Sequence, residues 1–290
     1  MAISFRVPAT SANLGPGFDC LGVALSRHNA FTLSFSDEDA CPDLSDGTTN
    51  LAWTAIAHYF HHIGEARPTL SLQQTVAIPL SRGLGSSASA VVGGLVTANA
   101  LMGDRLDRQA LLELATAIEG HPDNVAPALF GGCVLSVGAP LITVHVPWPE
   151  DWQLVLAIPD FSLSTAKARA VLPASVPHTD ARYTVARVAL LVAAAHQRRT
   201  DWLAEALQDK LHQPYRRSLV AGYDAVEGAA LAAGAHGLTL SGAGPTLAAW
   251  TSPQQAGAVG EAMAKAWLST GVHADIVTAD IDKAGATAIS

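Results

Sequence analysis

The sequence predicts a two-domain protein built from layered helices and sheets, of the α+β or α/β class. Three observations predict it. Segments with strand and helix periodicity alternate through both halves of the chain. A paired-proline stretch, "PWPEDW" at 147–152, interrupts regular structure midway. The 290 residues, 49% hydrophobic and 14% charged, describe a compact, alanine-rich chain with enough length for two cores. The boundary is accordingly set at the proline stretch, giving an N-terminal domain 1–149 and a C-terminal domain 150–290.

Residues 2–8 and 29–35 alternate as strands, and "LSLQQTVAI" at 70–78 does so again. Between them Thr48 and Thr49 can cap a helix through "NLAWTAIAHYFHHI", ended by Gly64. A small-residue helix runs from Ser86 to about Met102 and breaks at "MGD". Another, from Asp107 to Glu119, carries Leu111, Leu114, Ala115 and Ile118 on one stripe. Two short strands follow, in "GGCVLSV" and "LITVHV". The second half opens on a strand, "QLVLAIP", and continues with helices at 180–197, 200–208 and 223–234. It closes with the strand–turn–strand "GLTLSGAGPTLAAW", a helix at 253–268 and a strand in "HADIV". Each sheet is expected to be covered on one face by helices.

Charge narrows the partners. Seventeen Lys and Arg against twenty-five Asp and Glu leave a net charge of −8, the wrong sign for a surface that follows a phosphate polymer. Nucleic acid is not an expected partner, and a bound anion must be held by backbone N–H groups or a few focused cations. Cys20, Cys41 and Cys133 are odd in number and contain no Cys-x-x-Cys pair, which fits reduced thiols in the cytoplasm. The N-terminus lacks the charged and apolar regions of a signal peptide, and no apolar run reaches the ~18 residues of a membrane span. A cytoplasmic protein without a membrane partner is expected. His58, His61 and His62 share one helix face, but without an evident fourth ligand they read as a solvated surface.

The stretch "PLSRGLGSSASA" at 79–90 lies between a strand and a helix, where free N–H groups and the positive end of the helix dipole face the turn. Pro79, Leu80, Ser81, Arg82, Gly83, Leu84, Gly85, Ser86, Ser87, Ala88 and Ser89 are therefore candidates to hold a phosphate. The stretch is not a Walker A loop, since no Lys-Ser/Thr follows a G-x-x-x-x-G spacing. Gly83 to Ala88 matches the G-x-G-x-x-A dinucleotide fingerprint and Asp104 falls about twenty residues on, but the acid should end a second strand and here lies between helices. A third reading takes the glycines as a tightly packed helix start, which leaves the three serines without a purpose.

The spacing from Pro79 to Ala88 resembles the phosphate loop of the GHMP kinases, the family of galacto-, homoserine, mevalonate and phosphomevalonate kinases. "PATSANLGPGFDCLG" at 8–22, "EGHPDNVAPALFGG" at 119–132 and "SGAGPT" at 241–246 resemble its homoserine kinase branch in the same order along the chain. The resemblance implies a two-domain GHMP kinase fold, with a left-handed βαβ crossover in the N-terminal domain and a ferredoxin-like C-terminal domain. It implies ATP-dependent phosphorylation of L-homoserine to O-phospho-L-homoserine, a step toward threonine, with Mg²⁺; a homodimer is allowed.

By the same resemblance Ser87 and Glu119 would ligate Mg²⁺, Arg169 and Arg216 would grip the substrate carboxylate, and Asp19 would take its ammonium. Asn13, His121, Asp123 and Asn124 would surround the amino acid and its hydroxyl, with Asn13, Asp123 and Asn124 nearest the chemistry. Asn124 cannot accept a proton, so direct transfer is expected, the proton leaving to a phosphate oxygen, water or Asp123. Read without the family, Glu119 is a solvated helix end, the arginines lie on helix surfaces and His121-Pro122 is a helix-end turn. Other functions the same loop serves are those of another small-molecule kinase, a mevalonate diphosphate decarboxylase-like lyase or a non-catalytic nucleotide-binding protein.

Overall fold

The computed structural model describes residues 2–43 and 49–289. Strands β1 (Ala2–Ala12) and β2 (Leu21–Phe35) form a long antiparallel hairpin. Both run well beyond the stretches with clear alternation, because residues 7–12 and 21–25 are buried on both faces and so carry no two-residue period. In the turn between the strands Asn13, Leu14 and Asp19 take φ of 68°, 47° and 58°, left-handed values uncommon for residues with side chains.

Helix α1 (Leu51–His62) is capped not by Thr49 but by Asn50, whose Oδ1 accepts from the N–H groups of Ala52 and Trp53 at 3.1 and 3.3 Å. Asparagine caps at least as well as threonine and sits one position nearer the first turn; Thr48 lies outside the described residues. Gly64, at φ 71°, ends the helix as its position suggests. Then come β3 (Leu70–Thr75), α2 (Ser86–Leu101) and α3 (Arg108–Glu119), the last capped by the Asp107 carboxylate on the Ala110 N–H.

An unexpected helix, α4 (Pro122–Phe130), follows directly. Two prolines and flanking glycines hide it in the sequence, but Pro122 stands at the first helical position, where its missing N–H costs nothing. After it come β4 (Cys133–Val137), β5 (Ile142–Val146), β6 (Gln153–Pro159), the short α5 (Thr165–Ala170) and the long α6 (His178–Gln197). The chain continues through α7 (Leu203–Ala206), α8 (Gln213–Arg216), α9 (Tyr223–Ala232), β7 (Gly237–Leu240) and β8 (Leu247–Thr251). It ends with α10 (Ala256–Ser269), β9 (Ala274–Ala279) and β10 (Thr287–Ala288).

The first sheet has the order β10-β1-β2-β4-β5, with β3 also on β2. Since β3 and β4 are each antiparallel to β2, they run parallel to one another and α2, α3 and α4 form the crossover between them. Phe31, Leu33, Val91, Leu95, Val125 and Leu129 join this sheet to α1–α4 in one core. The second sheet, β7-β8-β6-β9, is antiparallel and has the strand order of a ferredoxin-like domain, with α9 and α10 packed on Val155, Ala157 and Leu247.

The second sheet is not open on its other face, contrary to the single-sided layering expected. Leu154, Leu156 and Ile158 pack there with Ala9, Leu21 and Val23 of the first hairpin and with Leu191 and Leu203. A shared core therefore holds the two sheets together.

The segment 147–152 lies between the two sheets' strands, but the last strand, β10, returns to β1 of the first sheet. Asp282 secures that return. Its Oδ1 accepts from the Ala284 and Gly285 N–H groups at 2.8 and 2.7 Å, and its Oδ2 meets His28 Nε2 of β2 at 2.7 Å. Burial alone would raise its pKa, but the Gly285 N–H, His28 and the Ala284 N–H outweigh it and hold the carboxyl below the usual aspartate range. Its stabilisation is thus complete above the unfolded-state value of about 3.9 and is lost as pH falls through the lower folded value. Asp282→Ala is expected to cost about 3 kcal/mol in urea unfolding at pH 7, with the gap to the parent protein closing in acid below about pH 4.

The three cysteines are free thiols; burial raises the pKa of Cys133 to about 12 and, aided by Asp123 and Asp19, that of Cys20 to about 11, so both stay protonated and inert. His58, His61 and His62 are exposed. Among the described residues no helix is long and apolar enough to cross a membrane.

Candidate active site

A cavity of about 450 Å³ opens between the two sheets. The segment from Pro79 to Ser87 forms one wall, between β3 and α2. Gly83 and Gly85 have φ of 75° and 65°, and a Cβ on them would stand 2.2 Å from the Ser241 carbonyl oxygen and 1.9 Å from Thr10 Oγ1. Only glycine satisfies both conditions.

Every carbonyl from residue 81 to 85 is engaged by the protein itself. Ser81 O accepts from the Leu163 N–H at 3.1 Å, Arg82 O from the Thr246 N–H at 3.3 Å and Gly83 O from Ser241 Oγ at 2.7 Å. Leu84 O accepts from the Thr10 N–H at 3.1 Å and Gly85 O from the Ser89 N–H at 2.9 Å. With its oxygens held away, the loop offers N–H groups to the cavity. Among the described hydrogen bonds the first-turn N–H groups of Ser86, Ser87 and Ala88 have no acceptor, and no side chain caps this helix. Such an end is an anion site.

Three loop residues differ from their expected placement. Ser89 is fully buried and its hydroxyl donates to the Val7 carbonyl at 3.2 Å, so it supports β1 instead of facing a ligand. The Ala88 side chain belongs to the first core, leaving only its N–H for the cavity. Arg82 donates to the carbonyls of Pro159, Asp160 and Leu80 at 3.0, 2.8 and 3.3 Å, which fastens the loop to the end of β6 and occupies the guanidinium.

Beside the loop, Ser87 Oγ donates to Glu119 Oε1 at 2.6 Å. Burial pushes the Glu119 carboxyl up, with the Ser87 bond pulling the other way. Glu119 is thus no solvated helix end: it lines the cavity. A hydroxyl and a carboxylate side by side, next to a loop of N–H groups, form the hard-oxygen donor set that suits Mg²⁺.

The opposite wall gathers the other candidates. Asn13, buried, donates from Nδ2 to the Gly242 carbonyl at 2.9 Å and accepts the Asp19 N–H at 3.0 Å, so its amide orders two turns of the wall. Arg169 and Asp19, expected on opposite ends of a zwitterion, hold each other in a two-pronged pair of 3.1 and 2.7 Å. At 38% and 35% exposure this pair is screened by water and can be exchanged for a ligand's charges.

Arg216 differs: it is 2% exposed and, among the described residues, donates to Ala168 O, Gly242 O and His212 Nδ1 without a direct carboxylate ion pair. Burial and the neighbouring Arg169 depress its pKa. It is far from the surface arginine that its helix alone would suggest.

His121 immediately precedes α4, without a side-chain capping bond, and its Nδ1 bonds to Asp123, which is buried. Burial opposes the imidazolium, but the Asp123 bond and the charges of Asp123 and Asp19 prevail and raise the His121 pKa. Ligand atoms of Asp19, His121 and Asp123 lie within 4.8 Å of one another. Asn124 accepts from Thr10 Oγ1 at 2.7 Å and turns Nδ2 toward Asp123 Oδ1 at 3.4 Å.

Sequence reasoning missed three contributors. Thr10 lies beyond the strand read at 2–8 and was given no role within the 8–22 motif. His212 is a lone histidine whose Nε2–H donates to Gly15 O at 2.7 Å and whose Nδ1 receives Arg216; burial keeps it neutral. Phe18 stacks on His212 with centroids 4.9 Å apart and lies under both Arg169 and Arg216. Only the small polar run in "PATSAN" carried any signal for the first of these.

The fold and the loop together define a phosphoryl-transfer protein of the GHMP class: the model "GHMP kinases N terminal domain" matches residues 50–132 and "GHMP kinases C terminal" matches 191–269. Homoserine kinase of Crocosphaera subtropica is 46% identical, covering 98% of this chain and 96% of the relative, and that of Gloeobacter violaceus is 51% identical over 90% and 92%. The crystal structure of homoserine kinase from Cytophaga hutchinsonii superposes with a TM-score of 0.91 at 32% identity, covering 99% of this chain and 97% of the other. The chain belongs to the homoserine kinase family of GHMP kinases.

Proposed function

We propose that this protein transfers the γ-phosphoryl group of ATP to the side-chain hydroxyl of L-homoserine, giving O-phospho-L-homoserine and ADP. The observation that carries the reading is Arg216, a buried guanidinium with no direct carboxylate ion pair among the described residues, on the wall of the cavity that the phosphate loop also lines. A buried cation of this kind calls for an anion, and a guanidinium is shaped to take a carboxylate with two hydrogen bonds. The relatives matched over nearly the whole chain are homoserine kinases, which favours this acceptor over that of a decarboxylase or another small-molecule kinase.

In this mechanism the N–H groups of Ser86, Ser87 and Ala88 hold the triphosphate at the helix end, and Ser87 with Glu119 would hold Mg²⁺. That ion supplies neutralisation of charge on the phosphates. Arg216 and Arg169 take the homoserine carboxylate and Asp19, released from Arg169, takes the ammonium. Alignment is the protein's chief contribution, since phosphoryl transfer asks for positioning and charge neutralisation more than for covalent help.

Asn124 presents a donor at the acceptor hydroxyl, so the hydroxyl proton leaves to a phosphate oxygen or water. Asp123, already bonded to His121, serves mainly to hold that imidazole. Asp123→Asn is therefore expected to keep kcat within about five-fold in steady-state assays; a loss of ~10²–10⁴-fold would instead make Asp123 the general base.

The test of the whole reading is a coupled ADP-release assay offered homoserine, mevalonate, galactose or no acceptor. Homoserine-dependent turnover is expected, and turnover with mevalonate but not homoserine would overturn the assignment. The net charge of −8 supports a small-molecule partner over a polyanion, and three free cysteines suit a cytoplasmic setting.

A further inference from the structure

Thr10 stands where the two substrate walls meet. It is fully buried in β1, and its two donors point to different partners. The main-chain N–H holds Leu84 O of the phosphate loop, and the hydroxyl donates to Asn124 Oδ1 at 2.7 Å. The Cα of Gly85 packs so closely that a Cβ there would fall 1.9 Å from the same hydroxyl and 3.1 Å from Asn124 Oδ1.

The Asp123 carboxylate, which can only accept, and the Thr10 hydroxyl together set the Asn124 amide, the first taking Nδ2 at 3.4 Å and the second anchoring Oδ1 at 2.7 Å. Were the amide reversed, its oxygen would replace Nδ2 at 3.4 Å from Asp123 Oδ1, setting two acceptors against each other. With Oδ1 held by Thr10, the amide shows the cavity N–H donors. A substrate hydroxyl beside Asn124 must then accept from it through a lone pair, and its own proton is turned away from the amide.

We propose that Thr10 is a positioning residue that fixes Asn124 as a donor to the acceptor hydroxyl and registers it against the phosphate loop. This inference rests on the kinase reading above. It separates two effects of one residue: the main-chain bond to Leu84 survives any side-chain change, whereas the hydroxyl bond does not. Loss of the hydroxyl should therefore disturb the acceptor and leave the nucleotide in place.

The test is a set of variants assayed for kcat, for KM of ATP and homoserine, and for ADP released per O-phosphohomoserine formed. Thr10→Val, nearly isosteric, is expected to lower kcat ~10–100-fold with KM for ATP changed by less than about three-fold, and Thr10→Ser to recover most of the loss. Because Thr10 acts through Asn124, Thr10→Val/Asn124→Ala should be no slower than Asn124→Ala alone. Should the valine variant not fold, Thr10→Ala takes its place in the same cycle.

A kcat retained within about two-fold in the hydroxyl-free variant would overturn the inference. So would a serine variant as impaired as valine, or losses that multiply in the double variant. These failures are distinct from failure of the kinase reading, in which the parent protein itself would show no homoserine-dependent ADP release.

Discussion

Replacing Gly85 with alanine is expected to lower kcat/KM for ATP by about 10²–10³-fold. Two independent penalties meet at the position. The φ of 65° disfavours any Cβ by about 1–2 kcal/mol. The added carbon would also lie 1.9 Å from Thr10 Oγ1, a fully buried hydroxyl of β1. Relief through the loop is opposed, since the loop's five carbonyl bonds hold it in register. Any shift of ~1 Å turns the first-turn N–H groups off the phosphates, and a misplacement of that size costs about two orders of magnitude. Isothermal titration with ATP and the ADP-release assay check this together. Tight ATP binding by the alanine variant would show that the loop does not carry the triphosphate.

Arg169→Ala is expected to raise KM for homoserine by about 10–100-fold and to change kcat by no more than a few-fold. A charge-assisted hydrogen bond is worth ~1.5–3 kcal/mol, and the partial exposure of this guanidinium places it toward the lower end of that span. The contact exists before and during transfer, so its loss weakens substrate and transition state alike. Asp19 adds a second part to the effect. Without Arg169 its carboxylate loses the partner that holds it in place when the site is empty. Initial rates across a homoserine titration at saturating ATP make the measurement, and an unchanged KM would remove Arg169 from the binding site.

Much of this site was legible in the sequence because its parts are local. "PLSRGLGSSASA" shows strand, glycine turn and helix within twelve residues, and the glycine conformations follow from that succession. What stayed hidden was made by distance along the chain. Nothing near Arg82 announces that Pro159 and Asp160 will occupy its guanidinium, so a cation beside a phosphate loop reads as a phosphate ligand.

The burial of Arg216 likewise depends on Gly242 and Ala168, and the pairing of Asp19 with Arg169 spans 150 positions. The fold followed the same rule. Helices with caps and stripes were found within a few residues. By contrast, β1 and β2 were read short where both faces are covered, and α4 was missed because its prolines mimic a turn. Packing of the second sheet against the first hairpin removed the one-sided exposure that alternation assumes.

The pairing of β10 with β1 has a bearing on biosynthesis. A nascent chain halted near residue 150 would carry a sheet whose outer border is bare, since the residues that cover it are made more than a hundred positions later. Fusions placed after residue 288 would hang directly beside the opening strand, making that end the poorer choice for a bulky reporter.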